Sequence, residues 1–375
     1  MRTRLRPSGI RIRPDTSRFR VCTALAKGEN PMTDGREAFE RLACRGMAVL
    51  AGMMLAGCGG NLGAPIGLTF AGISAGEFHT CGVRPSGAAY CWGGGELGDG
   101  DSTGSATPVA VSGGLAFAVV SAGTGHTCGV TTAGTAYCWG INLFGELGTG
   151  TTMNRTTPAV VSGGLAFAAV NPGTGHTCGV TTAGAAYCWG DNSSGELGSG
   201  TTTNSTMPAA VSGGLTFAAV SAADAHSCGM TPAGAAYCWG WNHYGQLGNG
   251  TTTGPYTCLA AGPCSMTPVA VGGGLTFAVV SAGSSHTCGV TPLGAAYCWG
   301  FNNLGQLGNG TTMDSATPVA ISGGLTFAAL SAGGGTYTCG ITTGAAAYCW
   351  GDNSSGQLGT GTMGGRSLVP VRVVQ

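Results

Sequence analysis

Charge is scarce in this chain and unevenly placed. Its 375 residues include 15 Lys and Arg and 15 Asp and Glu. Residues 1–58 hold 11 of the basic side chains and 5 of the acidic ones. Residues 59–375 have no Lys, only Arg84, Arg155, Arg366 and Arg372, and 10 acids. A nucleic-acid binder neutralises phosphates with a basic face, and four arginines cannot build one, so nucleic acid is excluded as a partner. Helical periodicity is absent from the body of the chain. Also absent are a phosphate-cradling loop with Lys, a nucleophile elbow and an H-E-x-x-H helix. The 73 Gly follow no three-residue register, which excludes a collagen helix, and a hydrophobic content of 43% is too high for a disordered polymer.

The N-terminus reads as targeting sequence. Arg41 and Arg45 flank the eleven-residue apolar stretch Met47–Gly57, which is too short to span a bilayer and suits a signal-peptide core. It ends Leu55-Ala56-Gly57-Cys58, which resembles the bacterial lipobox. That resemblance implies cleavage before Cys58 and lipid attachment to its thiol. Gly59, rather than an Asp, favours the outer membrane. Met32 begins a signal of ordinary length, so residues 1–31 are expected to be a gene-model extension, 32–57 the signal peptide and 58–67 a short linker. A secretory signal with an incidental Cys is the alternative.

Residues 68–375 are periodic. The unit H-T-C-G-V-x5-A-Y-C-W-G recurs with its first cysteine at Cys81, Cys128, Cys178, Cys228, Cys288 and Cys339. Each unit of about 50 residues contains four short apolar runs separated by Gly-rich turns, the pattern of a propeller blade. With Cys178 placed opposite Cys188, Gly179 faces Tyr187 and Thr177 faces Trp189. Period-2 alternation then puts Tyr187 and Trp189 on one face, His176 and the cysteines on the other. Stacked units would set an aromatic face against a neighbour's face of small residues. The first GLTF run, residues 67–70, lacks a preceding P-x-x-V. The C-terminal Pro370–Val374 supplies one, so the termini are expected to share a blade and remove an open edge. The fold class is all-β, a closed propeller of four-stranded blades, six by repeat count.

The consensus A-G-x-x-H-T-C-G-V-T-x-x-G-x-A-Y-C-W-G-x-N-x-x-G-Q-L-G, for example His286, Trp299-Gly300, Asn302 and Gly305-Gln306-Leu307-Gly308, resembles the regulator of chromosome condensation repeat family. The resemblance covers roughly residues 68–375. Members are known for seven-bladed propellers, which keeps seven blades as the alternative. Members act through protein–protein contacts; one bacterial branch includes a secreted β-lactamase inhibitor, and a eukaryotic member is an exchange factor for a small GTPase. The first unit departs from the pattern, since Cys91-Trp92-Gly93-Gly94-Gly95-Glu96-Leu97-Gly98 lacks the Asn and three loop residues. The last has Tyr337 in place of the His.

Twelve cysteines form six C-x9-C pairs: 81/91, 128/138, 178/188, 228/238, 288/298 and 339/349. In an exported protein, opposed strand cysteines read as the disulfides Cys81–Cys91, Cys128–Cys138, Cys178–Cys188, Cys228–Cys238, Cys288–Cys298 and Cys339–Cys349, each worth roughly 2–3 kcal/mol. Cys258 and Cys264, within an insertion in the fourth interval, form a seventh pair. The competing reading is zinc held by His-x-Cys plus Cys, but zinc motifs favour shorter Cys spacing; no metal or cofactor is expected.

The histidines at 79, 126, 176, 226 and 286 sit opposite the Gly after Trp and are expected to pin that turn. Glu96, Glu146 and Glu196 occupy a slot that Gln246, Gln306 and Gln357 fill elsewhere, and a carboxylate exchanged for an amide argues against acid–base chemistry. Asp191-Asn192-Ser193-Ser194 is too poor in carboxylates for a calcium loop. Within W-G-x-N-x-x-G the variable positions should project from one rim. Leu143, Phe144, Trp241, His243, Tyr244, Phe301 and Leu304, with Tyr256 of the insertion, are the candidate binding residues. The expected protein is a monomeric, non-catalytic, lipid-anchored module binding a protein or envelope polymer. A glycan lectin, a glycan-active enzyme and an inhibitor of a secreted enzyme are the alternatives.

Overall fold

The computed structural model describes residues 67–258 and 262–374. The expected signal peptide, the preceding extension and Cys58 lie outside the described residues. Among the described residues, twenty-five strands form six antiparallel sheets, the blades of a β-propeller. Their extents are Gly72–Ala110, Phe117–Val160, Phe167–Ala210, Ala219–Ala270, Val279–Ala320 and Phe327–Arg372.

The third blade shows how the repeat builds one sheet. Phe167–Pro172 lines the central channel and is followed outward by His176–Thr181, Ala186–Gly190 and Ser205–Ala210. The central hairpin has the expected register: Cys178 faces Cys188, Gly179 faces Tyr187 and Thr177 faces Trp189. The ring lying on Gly179 is Phe167 from the innermost strand, because a Cβ at Gly179 would come within 2.7 Å of it. Close strand approach brings the Cα atoms of all six repeat cysteine pairs to 4.0–4.1 Å, and all six are bonded, as is Cys258–Cys264. The insertion adds a fifth strand, Tyr256–Cys258, at the outer edge of the fourth blade.

The P-x-x-V strand does not begin a blade. It pairs back onto the preceding A-Y-C-W strand, as Tyr187 with Ala210 and Tyr348 with Arg372. Every blade is therefore contiguous in sequence, and the termini do not share one, contrary to expectation. Arg366–Arg372 completes the sixth blade, and Ser105–Ala110 completes the first.

The core lies between blades. Trp189, Phe167 and Val170 of the third blade pack on Cys128, Val130, Ala136, Cys138 and Leu147 of the second, an aromatic face on a small-residue face. The arrangement repeats at five junctions. Trp139, Trp189, Trp239, Trp299 and Trp350 are fully buried there. Trp92, which faces the sixth blade, is only half-buried, as are Phe70 and Thr80. Across from them Cys339 and Ile341 are half-buried and Ala347 is exposed. The junction between the last and first blades thus lacks the seal of the other five.

Candidate interaction surface

Antiparallel topology gives the ring two unlike rims. One carries the short turns between the first and second strands and the long loops between the third and fourth. The other carries the Thr-x-x-Gly hairpin turns and the Ser-Gly-Gly-Leu connections between blades. The second rim is made mostly of Thr, Ser, Ala and Gly, and its exposed large apolar side chains are Leu293 in a hairpin turn, Leu68 before the first blade and Val374 after the last. The first bears Phe78, Ile141, Leu143 and Phe144, all exposed, with Leu143 at 67% and Phe78 at 63%.

A buried asparagine folds the long loop of every blade but the first. Asn192 Nδ2 donates to the carbonyls of Thr201 and Thr203, and its Oδ1 accepts from Leu197 N–H. Asn142, Asn242, Asn302 and Asn353 do the same. The loop also needs Gly190, whose φ is +104° and whose absent Cβ would strike the Gly175 carbonyl at 2.6 Å. The Glu or Gln of the repeat closes the loop from below. Ser194 N–H donates to Glu196 Oε2 at 2.6 Å and Tyr244 N–H to Gln246 Oε1 at 3.0 Å. Burial raises the Glu196 carboxyl to about 8 and pushes Glu146 up as well. Both are loop fasteners, which is why carboxylate and amide exchange in this slot.

The histidines do not pin their own turn. His126 Nε2 reaches Thr177 Oγ1 of the next blade at 2.7 Å, and His176, His226 and His286 reach Ser227, Thr287 and Thr338 in the same way. Desolvation lowers these imidazoles, to about 3 for His126 and His226 and about 4 for His176 and His286.

Of the expected binding residues, Leu143, Phe144, His243 and Tyr256 are exposed, whereas Trp241, Tyr244, Phe301 and Leu304 are half-buried. The fold brings four into one row. The Trp241 ring stacks on His243 at 5.7 Å with an interplanar angle of 10°, Tyr244 meets both edge-on, and Tyr244 touches Phe301 of the next blade at 4.5 Å. Phe144 lies apart, against Gly175 of the third blade. Sequence reasoning missed Phe78. Phe78 was detectable as the one aromatic in a turn position that Gly125, Gly175 and Ala225 fill in the following repeats.

Two cavities open beside this rim. The channel, about 560 Å³, is lined by all six blades and includes Glu77, Thr124, Thr174, Asp224 and Ser284 from equivalent turn positions. A smaller one, about 250 Å³, lies between the first two blades.

Two family models, both described as Regulator of chromosome condensation (RCC1) repeat, match the chain. One covers residues 183–230, 233–290, 294–341 and 346–375, the other 70–99, 117–146, 168–196, 217–246 and 277–306. A 90-residue stretch is 32% identical to the Ultraviolet-B receptor UVR8 of Arabidopsis thaliana, covering 24% of this chain and 20% of that receptor's length. Among solved structures, human WBSCR16 superposes with a TM-score of 0.71 at 19% identity, over 82% of each chain. Prp20p from Saccharomyces cerevisiae, whose structure was reported with its binding properties to Gsp1p and histones, gives 0.69 at 19% identity, over 81% of this chain and 76% of that one.

Proposed function

Since the chain belongs to the regulator of chromosome condensation (RCC1) repeat family, whose propellers are a protein-interaction module type, we propose that it is an exported, lipid-anchored, non-catalytic module that meets a protein through its long-loop rim. The observation that carries this reading is the contrast between the rims. Large apolar side chains with no packing duty crowd one end of the ring, whereas at the other Leu293 is the one exposed in a turn between strands and the remaining two, Leu68 and Val374, flank the first and last blades. Prp20p is a propeller of this kind whose binding to other proteins has been described. Export is supported by seven disulfides, which form in oxidising compartments, and the anchor by the lipobox-like residues ending at Cys58. A protein partner is favoured over a glycan because the Trp241 ring face lies against His243 rather than being offered to a sugar.

The reading is tested by placing a photo-crosslinking amino acid at Leu143 or at Leu293 of the full chain in its own cell envelope. Adducts are expected from Leu143 and not from Leu293; adducts from Leu293 alone, or from neither, would refute it. For the anchor, labelled palmitate should enter the wild-type chain and not Cys58→Ser.

A further inference from the structure

The first repeat is built differently at the rim. Between Trp92-Gly93 and Glu96-Leu97-Gly98 it has only Gly94 and Gly95, where the second repeat has Ile141, Asn142, Leu143, Phe144 and Gly145. The three missing residues include the asparagine that fills the loop elsewhere. Glu96 therefore has no loop N–H to bind. Its counterparts accept from Phe144 and Ser194 N–H at 2.7 and 2.6 Å, whereas the Glu96 carboxylate meets only Asn154 Nδ2, at 3.4 Å. The backbone has shifted too. At the next four junctions one carbonyl, of Glu146, Glu196, Gln246 or Gln306, accepts from the Trp indole of the following blade. The Trp139 indole N–H, fully buried against the first blade, has no partner. The result is a cavity of about 250 Å³ between the first and second blades, walled by Phe78, Gly94, Gly95, Glu96, Thr124 and Ile141.

We propose that this cavity receives a cationic side chain, arginine or lysine, from the protein partner. The aliphatic stem lies along Phe78 and Ile141, and the charged head pairs with Glu96 and faces the Phe78 ring. Charge complementarity selects this occupant. Glu77 adjoins Phe78 in the chain, Asp224 lies at the nearby channel, no arginine lines either cavity, and burial lowers the imidazole of His79, the one basic side chain on the wall of the smaller cavity, which favours its neutral form. A purely apolar side chain would desolvate Glu96 without giving it a partner, and an anion would be repelled. The proposal rests on the rim meeting a protein, but the chemistry of the pocket is tested without that protein.

Nuclear magnetic resonance titration of the full chain with N-acetyl-arginine methylamide, its citrulline counterpart and agmatine provides the test. Saturable binding of the arginine compound is expected, at least tenfold tighter than citrulline. Glu96→Gln should weaken it about tenfold and Ile141→Trp, which fills the cavity, should abolish it, while Asp191→Asn leaves it unchanged. Equal affinities for arginine and citrulline, or unchanged affinity in Glu96→Gln, overturn the proposal. Agmatine binding more than tenfold tighter than the blocked amino acid also overturns it, since the site would then serve a free small cation. Loss of Leu143 crosslinking with arginine binding intact would defeat the reading of the rim and leave the pocket chemistry standing.

Discussion

The proton between His126 and Thr177 belongs to the histidine. Thr177 spends its single hydroxyl hydrogen on the carbonyl of Glu146, at 2.8 Å, so its oxygen must accept from His126 Nε2 at 2.7 Å. The other ring nitrogen, Nδ1, is then a bare acceptor, and it is buried with no partner. The same chain links His176, Ser227 and Glu196, His226, Thr287 and Gln246, and His286, Thr338 and Gln306. Burial depresses their pKa values by desolvating the charged ring, and charging any of them would leave a buried N–H at Nδ1 with nothing to bind.

Acid should therefore open the ring. Each of the four histidines has a folded pKa of about 3 or 4 against an ordinary value of 6.5. The unfolded chain binds more protons between these values, so stability is lost as pH falls below 6.5. At pH 5 the loss is roughly 2 kcal/mol per histidine, from 1.36 kcal/mol per pKa unit. Guanidinium melts at pH 7 and pH 5 should differ by several kcal/mol; curves that coincide would show that the histidines are not buried neutral.

Glu196 acts in the opposite sense. Its folded pKa of about 8 lies above its ordinary 4.5, so its contribution is fully present below 4.5 and is lost as pH rises through 8. One such group does not offset four histidines between pH 5 and 6.5, but above pH 7 it dominates. Glu196→Gln removes the charge and keeps the acceptor, as Gln246 does for Tyr244. The gain is trimmed because Gln246 Nε2 finds no partner. The substitution should stabilise the protein by about 2 kcal/mol at pH 8, from the charge term less an unpaired donor, and destabilise it by about 2 kcal/mol at pH 4, where only the unpaired donor is left. A melt unaltered at pH 8 would contradict this.

Much of the blade was legible because its determinants are local. The spacing of Cys178 and Cys188 and the two-residue alternation of Tyr187 and Trp189 determine the hairpin register, and Trp189 does pack on the small-residue face of the blade before it. The place of the P-x-x-V strand was not legible, because strand alternation carries no information about which neighbour is paired. Ser205–Ala210 could have begun a blade or ended one, and only the long-range ladder from Tyr187 to Ala210 decides. The same limit hid the histidine bonds, whose partners lie about one repeat away. At the rim, Trp241 and Tyr244 were recognisable as variable, but their mutual stacking depends on loop geometry. The small cavity comes from residues that are not there, and a gap in a repeat does not say whether the backbone closes over it.

The sulfur chemistry gives a count. Of the 17 cysteines, 14 are paired in the structure, leaving 17 − 14 = 3, namely Cys22, Cys44 and Cys58. Maleimide labelling of the denatured, unreduced full chain should modify at most those three. Labelling of twelve more would replace the disulfides with free or metal-bound thiols. The double substitution Cys178→Ala with Cys188→Ala should cost roughly 3 kcal/mol, the chain-entropy value for so short a loop.

The junction between the sixth and first blades makes the last prediction. Trp189 is fully buried and donates to Glu146 O at 2.9 Å, and its ring covers Gly148. Trp92 holds the same place in its repeat, yet it is half-buried, and the glycine that should lie beneath it, Gly359, is approached by Val373 instead. Removing an indole from a packed junction forfeits both transfer energy and a hydrogen bond. Removing it from a half-open one forfeits part of the transfer energy alone. Trp189→Ala should therefore cost about 3–5 kcal/mol and Trp92→Ala about 1–2 kcal/mol. Amides of Gly72–Ala75 and His79–Val83, in the first blade, should exchange hydrogen faster than those of Phe167–Pro172 and His176–Thr181 in the third. Equal losses in the two variants, with equal exchange in the two blades, would show that the ring is sealed at all six junctions.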